Sequence, residues 1–154
     1  MKLKVAAVIA GVVAVAAVVA AAIFINYYSK SDKIISFDAQ SNGETLEFSC
    51  DNMYPGEVRT SEYKLESKFS GKLILSFVEG TKSDLMPYLN AKISVGGQDV
   101  YNGSLEDIME TSLVSYVEKG GADFSVSFWI DLSTDNSAQG LEAVFYLDMK
   151  VERA

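Results

Sequence analysis

Beyond Lys33, apolar residues recur at every second position, and this period of two most limits what the chain can fold into. Successive side chains of a strand point to opposite faces, so alternation marks strands with one face buried and one in water. The last run is the clearest. Leu141, Ala143, Phe145, Leu147, Met149 and Val151 share one face, with Glu142, Asp148, Lys150 and Glu152 on the other. Shorter runs repeat the pattern: Leu46-Phe48-Cys50, Tyr63-Leu65, Leu73-Leu75-Phe77, Leu89-Ala91-Ile93-Val95, and Val126-Phe128-Ile130-Leu132.

Turn chemistry separates the runs. Tyr54-Pro55-Gly56-Glu57 puts Pro and then Gly at the central positions that a type II turn prefers. Gly96-Gly97, between Val95 and Val100, predicts a hairpin, while Asn102-Gly103 and Gly120-Gly121 predict further breaks. One short helix is expected, with Ser104 as N-cap, Asp107 three residues on, and Leu105, Ile108 and Met109 on one face. Seven to nine strands in about 120 residues, punctuated every 8–12, give an all-β sandwich or barrel.

The opening of the chain is different in kind. Val5 to Ile25 is 21 residues without a charge, built from Ala, Val, Ile, one Gly and one Phe. As a helix it would span about 30 Å, the thickness of a bilayer's hydrocarbon core. Lys2 and Lys4 precede it, which keeps the N-terminus in the cytoplasm and sends the rest outward; Tyr27 and Tyr28 suit the far interface. The reading is therefore two parts: residues 1–30, an export element that attaches the chain to the membrane, and residues 31–154, an extracytoplasmic domain. A retained signal anchor and a signal peptide cut after Ala20-Ala21-Ala22 both fit. A type IV pilin helix fits less well, because the first acid is Asp32.

Charge and composition exclude whole classes of function. The 154 residues hold 13 Lys and Arg, 21 Asp and Glu, no His and one Cys. Every acid lies after Ser31, with only ten of the bases, so the exported domain is more acidic than the chain as a whole. No basic face exists for phosphates, so no nucleic-acid partner is expected. Without histidine there is no Ser-His-Asp or Cys-His machinery and no imidazole zinc site. A single cysteine forms neither an internal disulfide nor a thiolate cage. Neither a cofactor nor catalysis is expected.

Asp131, Ser133, Asp135, Ser137, Gln139 and Glu142 fall on positions 1, 3, 5, 7, 9 and 12 of an EF-hand loop. Position 6 is Asn136 where that loop needs Gly, and strands flank it where helices belong. A polar hairpin loop is the simpler reading; Asp131, Asp135 and Glu142 are the carboxylates a Ca²⁺ ion would use. Cys50 continues the inward face of Leu46 and Phe48 as a buried thiol, with acidic neighbours Glu47 and Asp51. Trp129 points away from Phe128 and Ile130, toward a partner or a second packing layer.

Asn52-Met53-Tyr54-Pro55-Gly56, followed by a strand and the small-residue turn Ser70-Gly71, resembles the N-x-x-P-G entry of the TasA/camelysin family. Asn136-Ser137-Ala138-Gln139-Gly140, followed by the strand Leu141–Val151, is similar to that family's N-x-x-Q-G and final strand. The resemblance covers roughly residues 34–154. It departs at Lys68-Phe69-Ser70-Gly71, where the family often carries Asn-x-Gly. The resemblance implies a jelly-roll or Ig-like β-sandwich, exported by Gram-positive bacteria and often found in biofilm matrix fibres. It also implies assembly by strand donation, an N-terminal strand of one subunit completing the sheet of the next. The matching strand here begins Ile34-Ile35-Ser36-Phe37, making Ile34, Ile35 and Phe37 the candidate assembly residues. Some family members carry a metalloprotease label, which a chain without histidine cannot inherit. Three functions follow: a self-associating structural protein of the surface or matrix, a monomeric membrane-anchored binding module, and an enzyme working with carboxylates alone. The first is the reading adopted.

Overall fold

A computed structural model describes residues 26–39 and 43–154, with side chains from Ile34 onward. The hydrophobic segment Val5–Ile25, and with it the choice between anchor and signal peptide, lies outside the described residues. Nine strands appear among the described residues: β1 (Asn26–Phe37), β2 (Gly43–Asp51), β3 (Val58–Ser67), β4 (Gly71–Lys82), β5 (Leu89–Val95), β6 (Gln98–Ser104), β7 (Ser112–Val117), β8 (Ala122–Ile130) and β9 (Glu142–Arg153). Composition places the boundary between export element and domain at 30/31; β1 starts at Asn26.

The winding follows from the pairing. β2 pairs with β9, β3 with β8, β4 with β7 and β5 with β6, all antiparallel, as one long ribbon folded at the Gly96-Gly97 hairpin. Both hairpin glycines have positive φ, +60° and +82°, which a two-residue turn needs and other residues resist. The ribbon then rolls so that β4 lies against β9 and β5 against β8, the winding of a jelly roll. Two sheets result, ordered β1-β3-β8-β5-β6 and β2-β9-β4-β7.

Alternation decides what lies between the sheets. All the inward residues predicted on β2, β4 and β5 are buried, as are Ala143 to Val151 on β9. Phe128 of one sheet meets Phe145 of the other edge-on with ring centroids 5.0 Å apart, and Phe48 meets Phe128 at 5.2 Å. Such edge-to-face pairs add about 0.5–1.5 kcal/mol beyond the area they bury.

Three expectations change. The short helix is a single 3₁₀ turn, Glu106–Ile108, and Leu105 rather than Ser104 stands at its cap position, with no side-chain cap. The Leu105 amide bonds to the Leu89 carbonyl and the Glu110 amide to the Phe77 carbonyl, so both ends are pinned to strands within one turn's length. Two more 3₁₀ turns, Met86–Tyr88 and Asn136–Ala138, escape the sequence reading. Asn102-Gly103 is no break: both lie in β6, where the Tyr101 ring lies beside Gly103, in space a Cβ would need. Leu132 does not extend the inward set of β8. The strand ends at Ile130, the Thr134 amide closes a turn onto the Asp131 carbonyl, and Leu132 is exposed.

Candidate functional site

The candidate assembly strand stands at a sheet margin. β1 has one neighbour, β3, and runs parallel to it, with Ile35 opposite Leu65 and Phe37 opposite Ser67. Ile35 and Phe37 are fully buried between the sheets, whereas Ile34 faces out and is half exposed. Among the described side chains of the strand, Ile35 and Phe37 plug the core, and its ladder to β3 is parallel, a pairing slightly weaker per residue than an antiparallel one.

The Pro-Gly motif has a structural task. The Glu57 amide bonds to the Tyr54 carbonyl at 2.9 Å and Gly56 has φ +87°, as in a type II turn. Glu57 itself is buried, which the sequence reading missed. One of its carboxylate oxygens accepts from the Tyr54 amide at 3.0 Å, and the other takes the Arg59 Nε at 2.5 Å. Arg59 also donates from Nη2 to the Asp51 carbonyl at 2.6 Å, so one arginine ties the end of β2 to the start of β3. The available signal was an acid closing a Pro-Gly turn two residues before an arginine. Cys50 lies buried nearby; burial, partly opposed by Arg59, pushes its thiol up to about 12. Such a thiol is not a nucleophile at neutral pH.

The loop carrying the candidate Ca²⁺ carboxylates is organised from within. Asp135 Oδ1 accepts from the Ser137 amide at 2.8 Å and from its hydroxyl at 2.5 Å, capping the 3₁₀ turn, and these bonds hold its carboxyl below the usual range. Glu142 pairs with Lys82 at 3.1 Å. Among the described residues, no three Asp, Glu, Cys or His side chains are grouped as a metal site would need, so Asp131, Asp135 and Glu142 are not brought together. At the same end, an open cavity of about 380 Å³ between the β4–β5 and β6–β7 connections is lined by Glu79, Glu106 and Glu110 with Met86 and Met109. Its chemistry suits a cationic surface. Trp129 stands half-buried on the outer side of β8 between Val58 and Asn90.

The margin opposite β1 is formed by β6 and β7. Of the four edge strands, β1, β2 and β6 each carry charged residues, and β7 (Ser112-Leu-Val-Ser-Tyr-Val) carries none. Val114 and Tyr116 project from its outer face at 56% and 54% exposure. Val114 stands opposite Ile74 on β4, while Ser76, paired with Ser112, separates Ile74 from the exposed Val78.

No protein-family model and no curated protein matches the chain. Solved structures do. The chain is similar to Aeromonas hydrophila PliG, a periplasmic lysozyme inhibitor of g-type lysozyme, at 10% identity and a TM-score of 0.50, over 82% of this chain and 99% of that one. It is also similar to the pre-peptidase C-terminal domain of collagenase from Bacillus anthracis, at 7% identity and a TM-score of 0.42, over 79% and 97%. A third likeness is to the CUB1-EGF-CUB2 domains of rat MASP-1, at 15% identity and a TM-score of 0.41, over 84% of this chain and 44% of that one. At such identities the likeness concerns the fold: a two-sheet β-sandwich.

Proposed function

We propose that this chain is a non-catalytic, extracytoplasmic structural module that joins copies of itself by donating β1. Residues 1–30 export it and, if retained, hold it to the membrane; the TasA/camelysin resemblance supplies the same reading. One observation carries the assembly step. β1 is a marginal strand with a single neighbour, β3, and among the described side chains Ile35 and Phe37 seat it in the core. The slot it fills would accept the same strand from a neighbour without any new contact. Neither buried ionisable group offers a nucleophile or base: Glu57 is engaged in the turn, and burial raises the Cys50 thiol.

A second reading, a monomeric anchored module that binds a protein ligand, is favoured by the acidic cavity at Glu79, Glu106 and Glu110. PliG, whose fold this chain shares, inhibits a lysozyme, so such a sandwich can serve protein recognition.

Mixed chains, each with one introduced cysteine in a Cys50→Ala background, separate the two. Ser36 stands opposite Glu66 in the β1–β3 ladder. Full-length Ser36→Cys and Glu66→Cys chains, mixed and mildly oxidised, should yield a covalent heterodimer only if β1 of one copy lies in the sheet of another. Monomers alone, at all concentrations, would overturn donation and leave the binding module.

A further inference from the structure

We propose that β7 is a second pairing edge, and that its occupant is β7 of another copy of this chain, related by a twofold axis. The contact is independent of β1, which closes the opposite margin of the molecule.

An edge strand presents unpaired amides and carbonyls, and proteins usually guard such a row with charge, Pro or a bulge. β2 is guarded by Glu44, Glu47 and Asp51, and β6 by Asp99. β7 has no such guard, and it exposes two large apolar side chains, Val114 and Tyr116, on its outer face. The charge balance selects the occupant. Two copies of so acidic a domain repel each other wherever acids meet, and a neutral edge is where they can touch. A basic partner would be drawn to the carboxylates of the loop end instead.

The sequence of the edge is also self-complementary. In an antiparallel pair with Ser115 on the axis, Val114 of each copy faces Tyr116 of the other, and Leu113 faces Val117. Both Val–Tyr pairs fall on the outer face, the β-branched and aromatic combination that pairs well across strands. The same register sets Lys119 opposite Thr111 of the second copy, next to its Glu110. Moving the axis to Val114 sets Glu110 opposite Glu118 of the second copy, so like charges reject that register. Six residues a side make a small interface, below the roughly 1,200–2,000 Å² of stable complexes. The pairing is therefore weak, and crowding on a membrane or in a fibre favours it.

The test uses the full-length chain in membranes. Ser115→Cys sits on the proposed axis, and Lys92→Cys, partly exposed on the outer face of the other sheet, serves as the collision control. With a mild oxidant or a short bismaleimide, the Ser115→Cys chain should form covalent dimer several-fold faster than the control. The Val114→Lys/Tyr116→Lys changes, added to Ser115→Cys, oppose lysines across the axis and should remove that excess. Val114→Glu/Tyr116→Lys opposes Glu to Lys and should restore it. Both pairs alter exposed side chains, so unchanged thermal unfolding by circular dichroism certifies the fold. Equal rates for Ser115→Cys and Lys92→Cys, or no loss with the lysine pair, overturn the proposal. Equal loss in both double variants overturns the antiparallel register with Ser115 on the axis.

Discussion

Glu57 shows how one side chain can fix the path between two sheets. Its carboxylate is 1% exposed and its partner Arg59 26% exposed, so the pair sits on the boundary between interior and solvent. Removing Arg59 strands a buried negative charge, whereas Glu57→Gln keeps an oxygen for the Tyr54 amide. Breaking a buried pair costs about 3–5 kcal/mol, and the partial exposure of Arg59 puts Arg59→Ala nearer about 2–3 kcal/mol. Glu57→Gln should cost about 1 kcal/mol. Urea unfolding with an unchanged slope would measure both, and a smaller loss for Arg59→Ala than for Glu57→Gln would refute the assignment. Cys50 makes a pH prediction. Its thiol is raised from an ordinary 9.0 to about 12 in the fold, so folding favours the protonated form. That contribution is complete below about pH 9, because neither state ionises there, and it fades toward pH 12 as the unfolded chain releases a proton the folded one retains. Stability should fall across that window, and Cys50→Ala should flatten the fall. The Pro55-Gly56 turn was legible from two residues whose backbone limits are intrinsic. The burial of Glu57 was not, because a lone acid reads as surface until its partner's place is known.

Among elements, legibility tracks how far burial is one-sided. β5 and the stretch of β9 from Ala143 to Val151 were readable to the residue, since both alternate between core and exterior; Leu141, expected to begin the inward set of the last strand, precedes β9 and is only partly buried. β7 gave no period: Leu113, Val114, Tyr116 and Val117 put apolar groups on both faces. The same holds for Ile34-Ile35 in β1. Its parallel partner was beyond local pattern altogether, because the register that sets Ile35 opposite Leu65 links residues thirty apart in sequence. The helix forecast at Ser104 failed for a comparable reason. Its apolar spacing is real, and Leu105 and Ile108 are buried, but tertiary bonds at both ends leave room for one turn only. Strand period is a local signal; the length allowed to a connection is a property of what it connects.

At the scale of the whole molecule, net charge opposes what the two lateral margins invite. Past Ser31 the chain has 21 acids against ten bases, so copies repel at long range. The contacts proposed at β1 and β7 depend on buried apolar side chains and backbone pairing, with at most one flanking charge pair at each end of β7. Salt should therefore act mainly on the repulsion. Raising ionic strength from 0.1 M to 1 M shortens the screening length from about 10 Å to about 3 Å, and apolar contacts survive that change. Self-association of the full-length protein, followed by sedimentation in a detergent kept constant, should strengthen with salt. It should strengthen again as pH falls toward the carboxylate range near 4, where the acids lose their charge. A ligand bound through the acidic cavity has the opposite signature, because the attraction itself is screened and then titrated away. The sign of the salt dependence thus separates the readings: association that weakens from 0.1 M to 1 M salt would contradict both pairing edges and favour a charged partner at Glu79, Glu106 and Glu110.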